Sequence, residues 1–229
     1  MKVAVVGGTG DLGFGLVLRL VGAGVPVTVG SRELGKAEDA AERARGELGE
    51  GASVSGAENP EAVSDADVVF VTVPFAGQAG IYRSIRERVS SGAVVCDTTT
   101  PLATAVGGRA THVVRPWQGS AAEQAQDLLG AGPRLVAGFH TVAAEPMQDL
   151  RHPVEGDALL CGSDGAAKAA VGELVERIPD LRWVDCGPLS MARILEPLTA
   201  LMISVNKRYG LHDAGVRLVG RDEWGGPPA

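Results

Sequence analysis

The sequence predicts a doubly wound α/β fold, in which helices cover both faces of a parallel sheet, followed by a smaller C-terminal α/β lobe. Two observations predict this fold. Short apolar runs alternate with helix-like segments through the first two-thirds of the 229 residues, which is typical of βαβ units. The first apolar run also leads directly into a glycine-rich loop and an apolar helix, the arrangement that opens a Rossmann-type domain. A hydrophobic content of 45% is enough for a substantial core.

The predicted elements follow the alternation in chain order. The continuous apolar run 3–6 indicates a buried parallel strand, and Leu12, Leu16 and Leu20, spaced four residues apart, give the next helix one face for the sheet. Further strands are predicted at 25–29, 53–55, 67–73, 93–96 and 134–139. Helices are predicted at 33–48, after the strand 67–73 to about residue 89, and at 120–129. Beyond His140 the pattern gives strands at 157–161 and 182–186 and helices at 165–178 and 189–209.

The glycine loop has the spacing Gly-x-Gly-x-x-Gly at Gly8, Gly10 and Gly13. We assign the tight turn to Gly8, close approach of a pyrophosphate to Gly10, and close packing of helix on strand to Gly13. The N-terminus of the following helix directs free N–H groups at the same phosphates. The loop therefore predicts a dinucleotide site.

The end of the second strand indicates which dinucleotide is bound. An NAD site usually has an acid here to hold the ribose hydroxyls, but the chain has Ser31 and Arg32, with no acid before Glu33. Arg32 offers a bidentate fork to a 2′-phosphate, the Ser31 hydroxyl is an extra donor, and Lys36 lies one helical turn further on. This pattern predicts NADP. The alternative is that Ser31 caps the helix and that Arg32 and Lys36 are solvated surface charges.

Composition excludes several classes of function. The formal net charge is −7 and no block of Lys and Arg occurs, which argues against nucleic acid and anionic membranes as partners. No apolar stretch reaches the length of a membrane span, and the N-terminal run is too short for a signal peptide. The four histidines lack metal-ligand spacing, so no metal site is expected. Three cysteines far apart, Cys96, Cys161 and Cys186, fit a reduced cytoplasm and buried structural roles.

The long C-terminal helix has one apolar stripe, formed by Ile194, Leu198, Leu201 and Val205. This stripe is more apolar than a helix facing solvent needs. Two interpretations are open, a core face or a dimer interface.

Several motifs in this order and spacing extend over nearly the whole chain: residues 7–13, Gly30-Ser31-Arg32 with Lys36, Thr72-Val73-Pro74, residues 139–142, and Gly187-Pro188-Leu189. Together they resemble the NADPH-dependent coenzyme F420 reductases, also called F420H2:NADP oxidoreductases. The resemblance implies reversible hydride transfer between NADP(H) and the 5-deazaflavin coenzyme F420 by a homodimer. It also implies an NADP-binding domain over residues 1–142 and a small domain over 143–221 that contributes to the acceptor pocket and the dimer. The composition of residues 222–229 by itself predicts a disordered tail.

The resemblance also implies roles for individual residues. Those that hold the pyrophosphate are Thr9, Gly10, Asp11 and Leu12. Those that border the nicotinamide are Val73, Pro74 and Phe75, and those that face the deazaflavin are His140, Val142, Ala214 and Gly215. One position departs from the family pattern, because Thr100 stands before Pro101 where many members have Asn.

His140 is the candidate catalytic residue, since its imidazole is suited to donate a hydrogen bond to a ring carbonyl that gains negative charge. The alternative is a histidine that only fills the cleft wall. Two other functions fit the same plan: an NADPH-dependent reductase of a small imine or carbonyl compound, and a non-catalytic NADP-sensing protein.

Overall fold

Six parallel strands form the main sheet of the computed structural model, which describes residues 1–220; the predicted tail 222–229 lies outside the described residues. The order is β3-β2-β1-β4-β5-β6, the strand order of a Rossmann domain. The strands are β1 (Val3–Val6), β2 (Val27–Ser31), β3 (Val54–Glu58), β4 (Val68–Val71), β5 (Val94–Asp97) and β6 (Arg134–Ala137). The predicted fold class is confirmed. The order reverses between β1 and β4, which places the ligand crevice beyond their carboxyl ends.

Helices cover both faces of this sheet. They are α1 (Asp11–Gly22), α2 (Leu34–Leu48), α3 (Asn59–Val63), α4 (Phe75–Ile85), α5 (Ala121–Leu129) and α6 (Ala144–Gln148). Leu16 and Leu20 of α1 are fully buried and Leu12 packs against the same core, as the spacing predicts. The short helices α3 and α6 were not predicted, because five residues give too little periodicity.

The C-terminal part adds two parallel strands, β7 (Gly156–Leu160) and β8 (Leu181–Asp185), with α7 (Gly165–Val175) and the long helix α8 (Ala192–Tyr209). Ala137 and Cys161 exchange two backbone hydrogen bonds of 2.8 and 2.9 Å, so this pair continues the main sheet in antiparallel fashion. The buried apolar side chains form two clusters, and each cluster contains residues from both sides of position 142. The domain boundary at 142/143 stays a prediction.

The apolar stripe of α8 is only partly a core face, since Leu198 packs against buried apolar residues of the main core. Ile194 and Leu201 are 58% and 52% exposed, while Leu198 and Val205 are half-buried. On its other side the helix is held by the buried apolar residues Ala192 and Leu195 and by the buried Glu196, while Ile194 and Leu201 are exposed.

Candidate active site

The turn of the glycine loop is made by Gly7, whose φ of +79° lies in the left-handed region. The assignment of the tight turn to Gly8 is therefore wrong. Gly8 has no positive φ, and it is needed for space, because a Cβ there would lie 2.9 Å from both Val29 Cγ1 and the Val5 carbonyl oxygen. Two neighbouring glycines thus have separate jobs, one in backbone conformation and one in packing.

The rest of the loop leaves an open cradle at the N-terminus of α1. Gly13 packs so closely that a Cβ would lie 2.5 Å from the Gly7 carbonyl oxygen, whereas a Cβ on Gly10 would meet only that oxygen, at 3.4 Å. Thr9, Gly10 and Asp11 are exposed, and no side chain caps the first turn of α1. The first N–H groups of the helix are therefore available to an anionic ligand, as a pyrophosphate site requires.

The three side chains predicted for the 2′-phosphate, Ser31, Arg32 and Lys36, differ in their present contacts. The Ser31 hydroxyl is buried and accepts a hydrogen bond from the Glu33 N–H at 3.3 Å, but the N-cap of α2 is Glu33 and no side chain caps this helix, so Ser31 does not cap α2. Lys36 Nζ lies 2.6 Å from Glu33 Oε1, so part of its charge is neutralised. Arg32 is exposed and forms no ion pair with the described residues. Arg32 is thus the group best placed to bind a phosphate.

The end of β4 packs against the glycine loop. The Thr72 hydroxyl donates to the Val6 carbonyl at 3.0 Å, and Val73 Cγ1 lies 2.8 Å from the place of a Cβ on Gly7. Pro74 is exposed and Phe75, half-buried, begins α4. The segment predicted to border the nicotinamide therefore lies beside the predicted pyrophosphate loop.

A buried carboxylate that the sequence reasoning missed, Asp97, organises the end of β5. It accepts hydrogen bonds from Tyr82 Oη at 2.6 Å, Gln78 Nε2 at 2.9 Å and the Thr99 N–H at 2.8 Å. Burial raises the pKa of Asp97, and these donors oppose the rise by favouring the charged form. An acid directly after an apolar strand was the available signal. Its role is to hold the turn of Thr98, Thr99 and Thr100 in place.

The hydroxyl groups of this turn point their protons at the protein. Thr98 donates to the Val71 carbonyl at 3.1 Å, and Thr99 donates to the Val73 carbonyl at 3.3 Å. Because a hydroxyl has one proton, neither group is free to donate to a ligand in this arrangement. The turn is fastened to the end of β4.

His140 lies beyond a backbone turn, because β6 ends at Ala137 and Phe139 has a φ of +66°. The predicted strand 134–139 was therefore too long. The imidazole is 6% exposed, and neither ring nitrogen makes a hydrogen bond of normal geometry, although the backbone of Thr99 is close enough to oppose the effect of burial on the pKa of His140. Burial lowers the pKa of His140 to about 4, so the ring is neutral at pH 7. A buried polar ring without normal hydrogen bonds is costly, and both of its nitrogens are closed to solvent in this structure.

The C-terminal segment with Ala214 and Gly215 lies beside the residues that follow His140. The Ala214 N–H donates to Asn206 Oδ1 at 3.1 Å, and a Cβ on Gly215 would lie 3.4 Å from the Thr141 carbonyl oxygen. A cavity of about 1240 Å³ has Thr141, Val142 and Gly215 in its wall. The four residues predicted to face an acceptor are thus divided between two neighbouring segments.

Glu196, on α8, is a second buried carboxyl that the sequence did not reveal. Its two oxygens accept the backbone N–H groups of Ala121 and Ala122, both at 2.9 Å, at the N-terminus of α5. Burial raises the pKa of Glu196 to about 8, against the two N–H donors. The contact fixes α8 on the main domain.

Other kinds of site are not seen among the described residues. Within 1–220, no group of three or more His, Cys, Asp or Glu side chains is close enough to hold a metal ion. None of the helices in this part of the chain is long and apolar enough to cross a membrane. Cys96 and Cys161 are buried and Cys186 is half-buried, all as free thiols.

The strand order and the glycine cradle define a Rossmann-type dinucleotide-binding protein. A family model described as NADP oxidoreductase coenzyme F420-dependent matches residues 2–101. The F420-dependent NADP reductase of Methanothermobacter thermautotrophicus is 40% identical over 97% of each chain, and that of Methanocaldococcus jannaschii is 38% identical over 95% of this chain and 98% of its own. The chain belongs to the family of F420-dependent NADP reductases, as the resemblance predicted.

The fold of this family member is also that of a solved structure. A crystal structure of a protein from Arthrobacter sp. FB24 superposes with a TM-score of 0.81 over 96% of this chain and 100% of that chain, at 24% identity. At this identity the similarity supports the architecture alone.

Proposed function

We propose that this protein transfers a hydride reversibly between NADP(H) and coenzyme F420. The observation that carries the proposal is the 40% identity, over 97% of both chains, to an F420-dependent NADP reductase. The imine or carbonyl reductase and the NADP-sensing protein have no comparable support. The residues of the crevice give the proposal its chemistry.

NADP(H) fits the residues at the carboxyl ends of β1 and β2. The open cradle of Thr9, Gly10, Asp11 and Leu12 offers the N-terminus of α1 to the pyrophosphate, and Gly8 and Gly13 leave no room for a larger residue. Arg32 binds the 2′-phosphate, with Lys36 as a weaker contributor because of its ion pair with Glu33. The Ser31 hydroxyl accepts the Glu33 N–H, and its remaining proton is an additional donor for the 2′-phosphate.

The two reacting rings are held on opposite walls of the crevice in this proposal. Val73, Pro74 and Phe75 border the nicotinamide, which supplies or receives the hydride when bound. His140, Val142, Ala214 and Gly215 hold the deazaflavin. Close, aligned placement of the two reacting carbons supplies most of the rate, and the protein's part is to position the rings and exclude water.

His140 has a specific task in this arrangement. A neutral imidazole has one N–H donor, and neither ring nitrogen makes a hydrogen bond of normal geometry to the described residues. The ring donates this hydrogen bond to an acceptor carbonyl as negative charge develops there. Since the imidazole stays neutral at pH 7, His140 stabilises charge without transferring a proton.

The protein acts as a cytoplasmic homodimer in this proposal. The exposed apolar side of α8, with Ile194 and Leu201 more than half exposed, supports a subunit contact. Three free cysteines without disulfides support a reducing compartment. Gel filtration with light scattering tests the first statement, since a monomer would contradict it.

The proposed reaction is tested by mixing the protein with NADPH and oxidised F420 and following the loss of the visible absorbance of F420. The expected result is rapid loss with NADPH and a much slower loss with NADH. Turnover on a panel of imines and carbonyl compounds, with none on F420, would support the competing reductase instead.

A further inference from the structure

Thr199, on α8, reaches two segments of the crevice at once. Its Oγ1 lies 2.7 Å from the His140 carbonyl oxygen and 2.8 Å from Thr100 Oγ1. The three residues are far apart in sequence, and they come from the C-terminal helix, the turn after β6 and the turn after β5. Thr199 thus joins the predicted acceptor wall to the threonine turn.

The direction of both hydrogen bonds follows from counting protons. The His140 carbonyl can only accept, so the single proton of the Thr199 hydroxyl is directed to it. The contact between the two threonine hydroxyls then needs the proton of Thr100. Thr100 is therefore the donor in that pair, and its oxygen keeps only lone pairs for other partners.

Thr199 is held firmly enough to impose this direction. One turn earlier on the same face of α8, Glu196 accepts the N–H groups of Ala121 and Ala122 at 2.9 Å each. This buried contact fixes the position of α8 relative to α5. The Thr199 hydroxyl therefore has a fixed position and does not rotate freely, as a surface side chain would.

The hydroxyl protons can be counted in the same way for the other residues of the threonine turn, Thr98 and Thr99. The protons of Thr98 and Thr99 are already directed to the carbonyls of Val71 and Val73. Thr100 is half-buried and follows the carboxyl end of β5, the edge of the sheet where ligands bind in folds of this type. A ligand that meets this turn finds hydroxyl oxygens that accept and none that donate.

We propose that Thr199 is a positioning residue that sets Thr100 as a hydrogen-bond acceptor, so that the ligand group facing Thr100 is an N–H donor. The inference rests on the proposed function and specifies its site. The donor is either the carboxamide of the nicotinamide or a ring N–H of the deazaflavin. In both cases the C-terminal helix selects the orientation of the bound ring through one hydroxyl group.

The test compares Thr199→Val, which keeps the shape and removes the hydroxyl, with Thr199→Ser, which keeps the hydroxyl. Thr100→Val, the double variant and Ser204→Ala, an exposed change on the same helix, complete the set. The dissociation constant of NADPH is measured by fluorescence titration, and the KM for F420 by turnover. Melting temperatures identify any variant that fails to fold.

The proposal expects Thr199→Val to raise one of these two constants by about tenfold, with Thr199→Ser restoring most of it. In the Thr100→Val background the same change has an effect of less than about threefold, because the two hydroxyls act as one unit. Repeating the titration with the 3-acetylpyridine analogue of NADPH, which lacks the amide N–H, separates the two donors. If the effect vanishes with the analogue, the donor is the carboxamide; a rise confined to the KM for F420 assigns the donor to the deazaflavin.

Two results would overturn the role of Thr199: both constants unchanged in Thr199→Val, or effects that add fully in the double variant. A wild-type protein that does not reduce F420 would instead contradict the proposed function. In that case the NADPH titrations still decide about Thr199, since a weakened and non-additive affinity supports its role and an unchanged affinity refutes it.

Discussion

The Thr72 hydroxyl oxygen lies 2.5 Å from the position that a Cβ atom on Gly13 would take. The same hydroxyl donates to the Val6 carbonyl at 3.0 Å, so it cannot move away without losing a hydrogen bond at the end of β1. The close contact of α1 with the strands therefore depends on a hydrogen atom at position 13. This relationship fixes the height of the helix N-terminus above the crevice.

We expect Gly13→Ala to displace the glycine loop and to abolish measurable NADPH binding. The forced contacts with Thr72 and the Gly7 carbonyl should also lower the free energy of unfolding by about 1–3 kcal/mol. Denaturant unfolding and fluorescence titration measure the two effects. The matched control is Gly46→Ala in α2, where a Cβ meets nothing within 4 Å and should add about 0.5–1 kcal/mol of stability. Normal NADPH affinity in Gly13→Ala would show that the loop does not hold the pyrophosphate.

The preference for NADP(H) over NAD(H) should depend on Arg32 more than on Lys36. Removal of the Arg32 fork should reduce that preference by roughly tenfold, because a charged hydrogen bond to the 2′-phosphate is lost in a solvent-exposed place. Lys36→Ala should have a smaller effect, since Lys36 is paired with Glu33 at 2.6 Å. The ratios of kcat/KM for NADPH and NADH measure both. An undiminished preference in Arg32→Ala would identify Arg32 as a surface charge.

His140 should make the fold sensitive to acid. Its pKa is about 4 in the folded protein against an ordinary value of 6.5, so the unfolded chain binds the proton more readily between these values. The stabilisation is complete above pH 6.5 and is lost as the pH falls towards 4. Lowering the pH from 7 to 5 should therefore reduce the free energy of unfolding of the wild type by about 2 kcal/mol more than that of His140→Gln. Urea unfolding at both pH values measures it, and equal losses in the two proteins would refute the assignment.

Glu196 should be a stability residue that acts at a distance from the chemistry. Glu196→Ala leaves two buried N–H groups at the start of α5 without an acceptor, which should lower the free energy of unfolding by about 2 kcal/mol or more. The exposed control Ser204→Ala on the same helix should change it by less than about 0.5 kcal/mol. A value for Glu196→Ala as small as the control's would mean that α8 is held mainly by its apolar contacts.

The sequence predicts the sheet well, because buried parallel strands such as Val68–Val71 are continuous apolar runs that need no tertiary information. It fails where a long-range contact or a backbone conformation decides. The strand before His140 ends two residues early because Phe139 adopts a left-handed φ, which no propensity assigns to phenylalanine.

The candidate site divides in the same way. The glycine loop and Arg32 are local patterns and can be identified from spacing alone. The contacts of Thr199 with Thr100 and His140 join residues that are 99 and 59 positions apart in the sequence. No local pattern in α8 predicts these contacts. The unpartnered state of His140 is likewise a property of its surroundings, visible only after folding.

The central claim, direct hydride transfer in the crevice, is tested most directly by isotope transfer. NADPH deuterated at C4 is prepared in both stereoisomers and incubated with the protein and oxidised F420, and the reduced F420 is analysed by mass spectrometry. Because the crevice holds the rings in one orientation, one isomer should deliver its deuterium to F420 and the other should retain it. Reduced F420 without deuterium from either isomer, or no reduction of F420 at all, would contradict the account.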